Sequence, residues 1–316
     1  MIRIALLTIL SFSSALAVDQ SEWVTRLGGT LQRNAQNQII GLNLRASWVS
    51  DADLTEVAKW KQLEKIDLSL TRITDQGLQL LKDLENVKDL NLLYAELLTD
   101  EGLSAIRNWK KLEGLNCRGT KVTDNTLTHI ATLRNLRRID MGFAEVTDNG
   151  LYSLSKLDKL EEVSVGGNKL TDNCLRFLPT LIHLRKLDLS GQQRTDSGLW
   201  FATITDAGLE ILAESKNLES LNLAGAKISD LGLAKLAKLT NLRELNLNST
   251  SVTTKGIAAI VTLPKLEKLY LWKTAKLDAS LAGVLQKFPS LRWVDLKESG
   301  AAKIQVSNSR LTILNE

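Results

Sequence analysis

Eight aspartates recur at regular spacing and are the side chains of this sequence that could most readily bind a metal ion. Ca²⁺ prefers carboxylate oxygens, but it needs about six or more of them converging on one point, whereas evenly spaced residues form a line. Each aspartate also follows a serine or threonine at a helix start, where either residue can cap the helix, as Thr74 or Asp75 would by accepting from free N–H groups, and the carboxylate also suits the helix dipole. We therefore predict helix capping, with no metal and no cofactor, for Asp51, Asp75, Asp100, Asp124, Asp148, Asp172, Asp206 and Asp230.

The cysteines and histidines do not form a catalytic or metal-binding set. Cys117 and Cys174 lie in separate segments, so a disulfide, which needs Cα atoms within about 7 Å, is not expected. His129 and His183 have no Cys or His at metal-ligand spacing and no nucleophile motif beside them. There is no phosphate-binding loop. The sequence nominates no active site, and we predict that the protein is not an enzyme.

A repeat positions all of these residues. Its unit has the form LxxLxLxxxxhTDxGLxxLxxLxx, where h is apolar, as in "LRRIDMGFAEVTDNGLYSLSKLDK" and "LESLNLAGAKISDLGLAKLAKLTN". The leucines that begin successive units are 24 residues apart in two series: Leu112, Leu136, Leu160 and Leu184, then Leu218, Leu242 and Leu266.

Each unit contains one strand and one helix. In "LEKIDLSL" apolar and polar residues alternate, which predicts a strand with one buried face, and "TDQGLQLLKDL" has its leucines at helical spacing. One such unit cannot bury its own apolar face, but stacked units can, which predicts a curved solenoid. We count eleven units, with strands centred on Leu42, Ile66, Leu90, Leu115, Ile139, Val163, Leu187, Leu221, Leu245, Leu269 and Val294.

The repeat resembles the leucine-rich repeat family, in its bacterial form of about 24 residues, from Gly41 to the C-terminus. The resemblance implies an α/β fold, with a curved parallel β-sheet inside and helices outside, and a role in protein–protein recognition. One feature departs from many members of the family: the column after each strand, from Thr71 to Thr274, contains no asparagine ladder.

The chain ends predict export and capping. Arg3, an apolar run from Ile4 to Leu10 and small residues up to Ala17 form a signal peptide (1–17), cleaved after Ala17. The alternative, an uncleaved membrane anchor, would need about 20 apolar residues. We predict an N-terminal cap (18–40), the solenoid (41–298) and a C-terminal cap (299–316). The mature protein is expected in the periplasm or outside the cell, without membrane insertion.

One unit is ten residues too long, because the helix-start motif occurs twice in "SGQQRTDSGLWFATITDAGLEIL". The second copy, at Thr205, fits the downstream spacing, so we predict that residues 195–204 are an insertion forming a short or aborted helical turn. Insertions in solenoids map to loops on one face, often the binding face. This one carries Trp200 and Phe201, which either bind a partner or pack onto a neighbouring helix.

The concave sheet face is the expected binding surface. Its predicted columns carry seven acidic and seven basic residues, which argues against nucleic acid as a partner. Three aromatic residues and a lysine cluster near its C-terminal end: Tyr270, Trp272, Trp293 and Lys268. Aromatic residues beside a cation are typical of interface hot spots. Alternatively, the C-terminal cap folds over them.

The sequence therefore predicts an exported, non-enzymatic protein that recognises another protein, or a surface ligand, through its concave face. The alternative is a structural or scaffold component of the cell envelope or extracellular layer. The sequence leaves the partner and the oligomeric state open.

Overall fold

The computed structural model describes residues 21–306 and 310–315. The predicted signal peptide, residues 1–17, lies outside the described residues. In the described part, thirteen strands form one sheet in chain order: Thr30–Arg33, Ile39–Asn43, Lys65–Asp67, Asp89–Asn91, Gly114–Asn116, Arg138–Asp140, Glu162–Ser164, Lys186–Asp188, Ser220–Asn222, Glu244–Asn246, Lys268–Tyr270, Trp293–Asp295 and Thr312–Leu314. The first two form an antiparallel hairpin, and every later pair is parallel.

One short helix precedes the first strand, and in the repeats a turn leads from most strands to a helix or a 3₁₀ turn. The α-helices are Glu22–Arg26, Leu54–Val57, Asp75–Leu80, Asp100–Leu103, Asp124–Ile130, Asp148–Leu151, Asp206–Leu212, Asp230–Lys235, Thr254–Ala259 and Leu281–Leu285. Shorter 3₁₀ turns are Ser104–Asn108, Tyr152–Lys156, Asp172–Leu175, Leu178–Thr180 and Leu236–Lys238. None of the helices in the described residues is long and apolar enough to cross a membrane.

The register of the sheet confirms the predicted α/β solenoid of about eleven repeats. Each of the eleven predicted strand centres pairs with the centre of the next strand, from Leu42 beside Ile66 to Leu269 beside Val294. A further strand then places Ile313 beside Val294. The buried apolar side chains form a continuous cluster that extends from Val24 to Ile304. Each repeat thus buries its apolar face against its neighbours, as the stacking argument requires.

The recurring aspartates join one repeat to the next. Each accepts two hydrogen bonds from the following repeat, from the backbone N–H and the hydroxyl of a threonine or serine, at 2.5–2.9 Å. We call this set the Asp–Thr ladder: Asp51 with Thr74, Asp75 with Thr99, Asp100 with Thr123, Asp124 with Thr147, Asp148 with Thr171, Asp172 with Thr205, Asp206 with Ser229 and Asp230 with Thr253.

The ladder corrects the prediction that the aspartates cap their own helices. In most repeats the cap is the preceding hydroxyl, as where Thr74 accepts from the backbone N–H of Gln76. The carboxylate is directed instead at the helix start of the following repeat. The aspartate therefore stabilises the stacking of repeats as well as the helix start that it reaches.

The ladder also explains the glycine of the repeat motif. A Cβ atom at Gly77 would collide with the carboxylate of Asp51, and the same holds at Gly102, Gly150, Gly208, Gly232 and Gly256 for the preceding ladder aspartates. One repeat has a threonine at this position. There Thr126 turns its hydroxyl and backbone N–H toward Asp100, at 2.5 and 3.1 Å, and joins the ladder.

The turn after each strand is closed without an asparagine ladder in that column. The hydroxyls of Thr71, Thr120 and Thr250 donate to the backbone carbonyl three residues earlier, at 2.6–2.7 Å. Asn168 and Thr274 reach the preceding repeat instead: the amide of Asn168 donates to the carbonyls of Met141 and Val165, and the hydroxyl of Thr274 donates to that of Leu247. Where the column is polar, its side chains thus bond to backbone carbonyls of the same or the preceding repeat.

The ten-residue insertion forms a β-hairpin, not the helical turn that we predicted. The strands Gln192–Thr195 and Gly198–Thr203 pair antiparallel, and the second strand pairs in parallel with Leu170–Thr171 of the preceding repeat. Gly198 makes the turn with a φ of +119°, which favours glycine. The helix starts at the second motif copy, as expected, with Thr205 at its N-cap.

Candidate binding surface

The central column of the concave face consists of the residue that follows each strand centre, from Asn43 to Asp295. Most of its side chains form hydrogen bonds within the solenoid. Nine of its Asn and Asp side chains accept a hydrogen bond from the backbone N–H two residues later, at 2.8–3.2 Å, in the repeats from Asn43 to Asp295. An Asx side chain that bonds in this way fixes a turn. This explains why the column is rich in Asn and Asp and leaves it less free to select a partner.

Opposite charges on the concave face pair between repeats. Arg138 lies 2.5 Å from Asp89, two repeats away, and Lys186 lies 2.8 Å from Glu162. Such half-exposed pairs contribute little to stability. Their effect here is to balance the surface, which agrees with the even charge count of the sequence.

A groove of about 800 Å³ follows the concave face from the first hairpin to the strand of Asn246. Its floor includes small residues, among them Gly114, Ser164 and Ser220. The predicted aromatic cluster does not line this groove. It lies on the next two strands, beyond its C-terminal end.

Two of the predicted aromatic residues are brought together. The rings of Tyr270 and Trp293, on adjacent strands, have centroids 4.5 Å apart and are tilted by 56°. Lys268 lies beside Trp293 in the sheet and 3.7 Å from Glu244. We call Tyr270 and Trp293, together with Trp272 in the same repeat as Tyr270, the aromatic patch; Lys268 lies at its side.

Trp272 lies at the strand end of the same repeat. Its indole N–H donates to Glu298 at 3.3 Å, and the ammonium of Lys273 is 4.2 Å from the ring centroid. Within the described residues, the C-terminal segment leaves all three side chains partly exposed. Its strand Thr312–Leu314 extends the sheet at the edge, with Thr312 beside Trp293.

The surroundings of Tyr270 hold its hydroxyl protonated. Burial, together with a hydrogen bond to Glu244 and the charges of Glu244 and Asp295, raises the pKa of Tyr270 to about 12. The tyrosine is therefore a neutral hydrogen-bond donor at any physiological pH.

The insertion places Trp200 and Phe201 away from this patch. The two rings face lysines of the flanking repeats, with Lys169 5.9 Å from the centroid of Trp200 and Lys227 5.2 Å from that of Phe201. Both side chains are half-buried, and each ring has a lysine ammonium near its face. The predicted site residues thus fall into two separate groups.

The two thiols are buried and unbridged, and one imidazole lies on the outer surface. Cys117 and Cys174 are buried, and burial, with nearby aspartate charges, raises the pKa of both thiols. His129 lies 3.5 Å from Arg107 on the outer surface. Within the described residues, no group of three or more His, Cys, Asp or Glu side chains could hold a metal ion.

Sequence reasoning missed one set of exposed apolar residues. Leu70 and Tyr94 are 42% and 40% exposed, and Phe143 is half-buried, all directly after the strand ends. The signal in the sequence is that their column contains four glycines as well as bulky residues, which the strand and helix patterns do not explain.

Comparison with known proteins gives a consistent result. The model described as "Leucine-rich repeat region" matches residues 104–313, and the model "Leucine Rich repeat" matches residues 62–82. No curated protein matches the sequence. Among solved structures, the chain is similar to an internalin (inlF) of Listeria monocytogenes, with 24% identity, a TM-score of 0.56, and coverage of 75% of this chain and 69% of that one. It is also similar to internalin C2 (inlC2) of the same organism, with 26% identity, a TM-score of 0.50, and coverage of 71% and 84%.

Proposed function

Because the chain belongs to the leucine-rich repeat family, we propose that it is an exported, non-enzymatic protein that binds another protein through its concave face. The fold supports protein–protein recognition, since a solenoid of this kind presents an extended concave surface. The single observation that carries the proposal is the half-exposed pair of rings, Tyr270 and Trp293, on that surface.

The aromatic patch has the composition of an interface anchor. Large aromatic side chains contribute most binding energy at protein interfaces, especially where a partner removes them from water. Tyr270 adds a hydroxyl that donates its proton to Glu244 and whose oxygen can accept a hydrogen bond from a partner, and Lys268 adds a charge at the rim. A partner that fills the groove of about 800 Å³ along the preceding strands would reach the patch at its C-terminal end.

The test is affinity purification from the native envelope and culture medium with the mature protein as bait. The double variant Tyr270→Ala, Trp272→Ala should lose the partner while melting at the same temperature, since both side chains lie on the surface of the sheet. With the purified partner, we expect its affinity to fall by about 30-fold, the equivalent of about 2 kcal/mol.

The matched control is Tyr152→Ala, which removes an aromatic side chain that is 68% exposed on the outer, helical side. It should retain the partner. Full binding by the double variant would remove the aromatic patch from the proposal. The mass of the exported protein tests the export part, which requires an N-terminus at Val18.

A second candidate function, a scaffold that assembles with copies of itself, is favoured by the hairpin. Gln192–Thr195 is the edge strand of its three-stranded sheet, and an edge strand can pair with another chain. Size-exclusion chromatography of the mature protein separates the two functions, because a stable monomer excludes self-assembly.

A further inference from the structure

One residue in each repeat adopts a left-handed backbone conformation, at the same point after the strand. In sequence order they are Ala46, Leu70, Tyr94, Gly119, Phe143, Gly167, Gly191, Gly225, Ser249, Lys273 and Glu298, with φ between +52° and +90°. Glycine adopts this conformation freely, whereas a bulky residue there costs about 1 kcal/mol or more. The turn requires the conformation, but it does not require a leucine, a tyrosine or a phenylalanine.

The bulky members of this column lie in one row along the edge of the solenoid, and the guanidinium of Arg118 lies 4.5 Å from the ring centroid of Phe143. The ring of Tyr94 lies over Gly119 of the next repeat, where a Cβ atom would collide with it. The ring of Phe143 extends over the next two repeats, within 2.9 Å of where a Cβ would stand on Gly167 and on Gly191. Leu70, Tyr94 and Phe143, which we call the edge ridge, therefore cover six consecutive repeats.

The edge ridge does not serve the core. The buried cluster is complete beneath it, with Leu68, Leu92 and Met141 fully enclosed two residues earlier. Leu70 and Tyr94 nevertheless keep two-fifths of their surface exposed. A contiguous exposed apolar row marks an interaction site more often than an isolated apolar residue does, and strained residues concentrate at functional sites.

The charges beside the edge ridge favour an acidic partner. Arg72, Lys121 and Lys169 are exposed along its outer side, and none of them has a carboxylate within ion-pair distance among the described residues. Lys169 also faces the ring of Trp200, at 5.9 Å from its centroid, so Arg72 and Lys121 are the two bases without such a contact. Two acids, Glu96 and Glu145, stand between the three bases. At the opposite end of the strands the bases are paired, as in Lys186 with Glu162.

The position of Glu96 and Glu145 between the basic residues favours a polypeptide partner over a nucleic acid or a membrane. A nucleic acid or an anionic membrane requires an unbroken basic surface, and Glu96 and Glu145 would face its phosphates. A polypeptide can match an interrupted row, because its own side chains alternate. A second copy of this chain would bring the same excess of bases against itself.

We propose that the edge ridge is a second binding surface, which takes an extended segment of a partner protein that combines apolar with acidic residues. This goes beyond recognition through the concave face, because the edge ridge lies at the strand ends of the N-terminal and middle repeats, whereas the aromatic patch lies on the last strands.

The test uses a phage-displayed library of random 12-residue peptides, selected on the mature protein. Peptides rich in Asp, Glu and large apolar residues should be enriched. The triple variant Leu70→Gly, Tyr94→Gly, Phe143→Gly should bind a selected peptide at least about tenfold more weakly. Since glycine relieves the backbone strain, the melting temperature of this variant should be maintained, which separates lost binding from lost folding.

The matched control is the double variant Ser249→Gly, Lys273→Gly, which makes the same backbone change in the polar part of the column and should bind the peptide normally. The variant Tyr270→Ala, Trp272→Ala should also bind it, which separates this surface from the aromatic patch. The proposal is overturned if no peptide depends on the edge ridge or if the selected peptides are basic. It is equally overturned if the edge ridge instead binds vesicles of phosphatidylcholine and phosphatidylglycerol, or holds two copies of the chain together.

Discussion

Two segments only ten residues apart, Thr195–Leu199 and Thr205–Leu209, have nearly the same sequence and fold differently. The first, Thr-Asp-Ser-Gly-Leu, makes the tip of a β-hairpin. The second, Thr-Asp-Ala-Gly-Leu, starts a helix. The difference must therefore come from what the two copies contact and from the residues that flank them.

The residue before each copy decides which one can enter the solenoid. In the other repeats this position is apolar and buried, as at Ile73 and Ile228. Ile204, before the second copy, is fully buried, but Arg194, before the first, would have to bury its charge there. The second copy also supplies Leu209 and Leu212 to the core, where the first copy would offer Leu199 and Ala202.

Both copies contain glycine in the same place, for different physical reasons. Gly198 has a positive φ and open space around it, so it is needed for its backbone conformation. Gly208 has helical backbone, but a Cβ would collide with the Oδ1 atom of Asp172. Glycine is thus required for its backbone conformation in the first copy and for its lack of a side chain in the second.

The largest expected effect comes from exchanging these glycines for alanine. Gly208→Ala should lower the free energy of unfolding by about 2 kcal/mol, because the carboxylate of Asp172 must shift to admit the new methyl group, which strains the two hydrogen bonds that it accepts from Thr205. Gly198→Ala strains only an exposed turn and should cost about 1 kcal/mol. Urea denaturation of the two variants measures the difference.

A double-mutant cycle tests the cause. Asp172→Ala alone should cost about 2 kcal/mol, while the matched control Asp196→Ala, in the other copy, should stay within about 0.5 kcal/mol of the wild type. In the Asp172→Ala background, Gly208→Ala should be within about 1 kcal/mol of neutral. Additive effects would show that the collision with Asp172 is not the reason for the glycine.

The solenoid could be predicted because the spacing of apolar residues repeats along the sequence. Strand centres such as Leu115 and Leu221 lie in register because each repeats the spacing of its neighbour. The Asp–Thr ladder was not predicted, since its partners are a whole repeat apart and a local rule, helix capping, already accounted for the aspartates. The hairpin was missed because the helix-start motif outweighed Arg194, whose charge is the signal against a helix.

The binding surface was predictable only in part. Alternation along the strands places Tyr270 and Trp293 on one face, and their ring contact follows from adjacent positions in the register. The exposure of Leu70 and Tyr94 could not be read in this way, because it depends on a left-handed residue after the strand, which no apolar period reveals. The glycines in the same column become informative only once the turn is known.

A deletion should show that the first copy is dispensable for the fold. Removing residues 193–202 brings Gln192 next to Thr203 and restores a unit of 24 residues that keeps Ile204 and Thr205 in place. The ladder bond to Asp172 and the buried position of Ile204 are retained, so the free energy of unfolding should change by about 1 kcal/mol or less. Circular dichroism and a thermal melt check this, and loss of cooperative melting would mean that the hairpin supports the stack.

The smallest expected effect is a pH dependence that separates a carboxylate inside the ladder from one outside it. Burial alone would raise the pKa of Asp100, but hydrogen bonds from Thr123 and Thr126 outweigh it and lower the pKa below the ordinary value of 3.8. The unfolded chain therefore binds this proton more readily than the folded one. The stability that Asp100 provides is complete above about pH 4 and is lost as the pH falls through its lowered pKa.

Replacing this carboxylate should remove that part of the acid sensitivity. We expect Asp100→Asn to reduce the stability at pH 7 but to flatten its decline below about pH 4. Asp196→Asn, in the hairpin copy, is the matched control and should follow the wild-type curve. Thermal melts at a series of pH values measure both. A wild-type slope in the Asp100 variant would mean that other carboxylates dominate acid unfolding and that this ladder position titrates like an exposed aspartate.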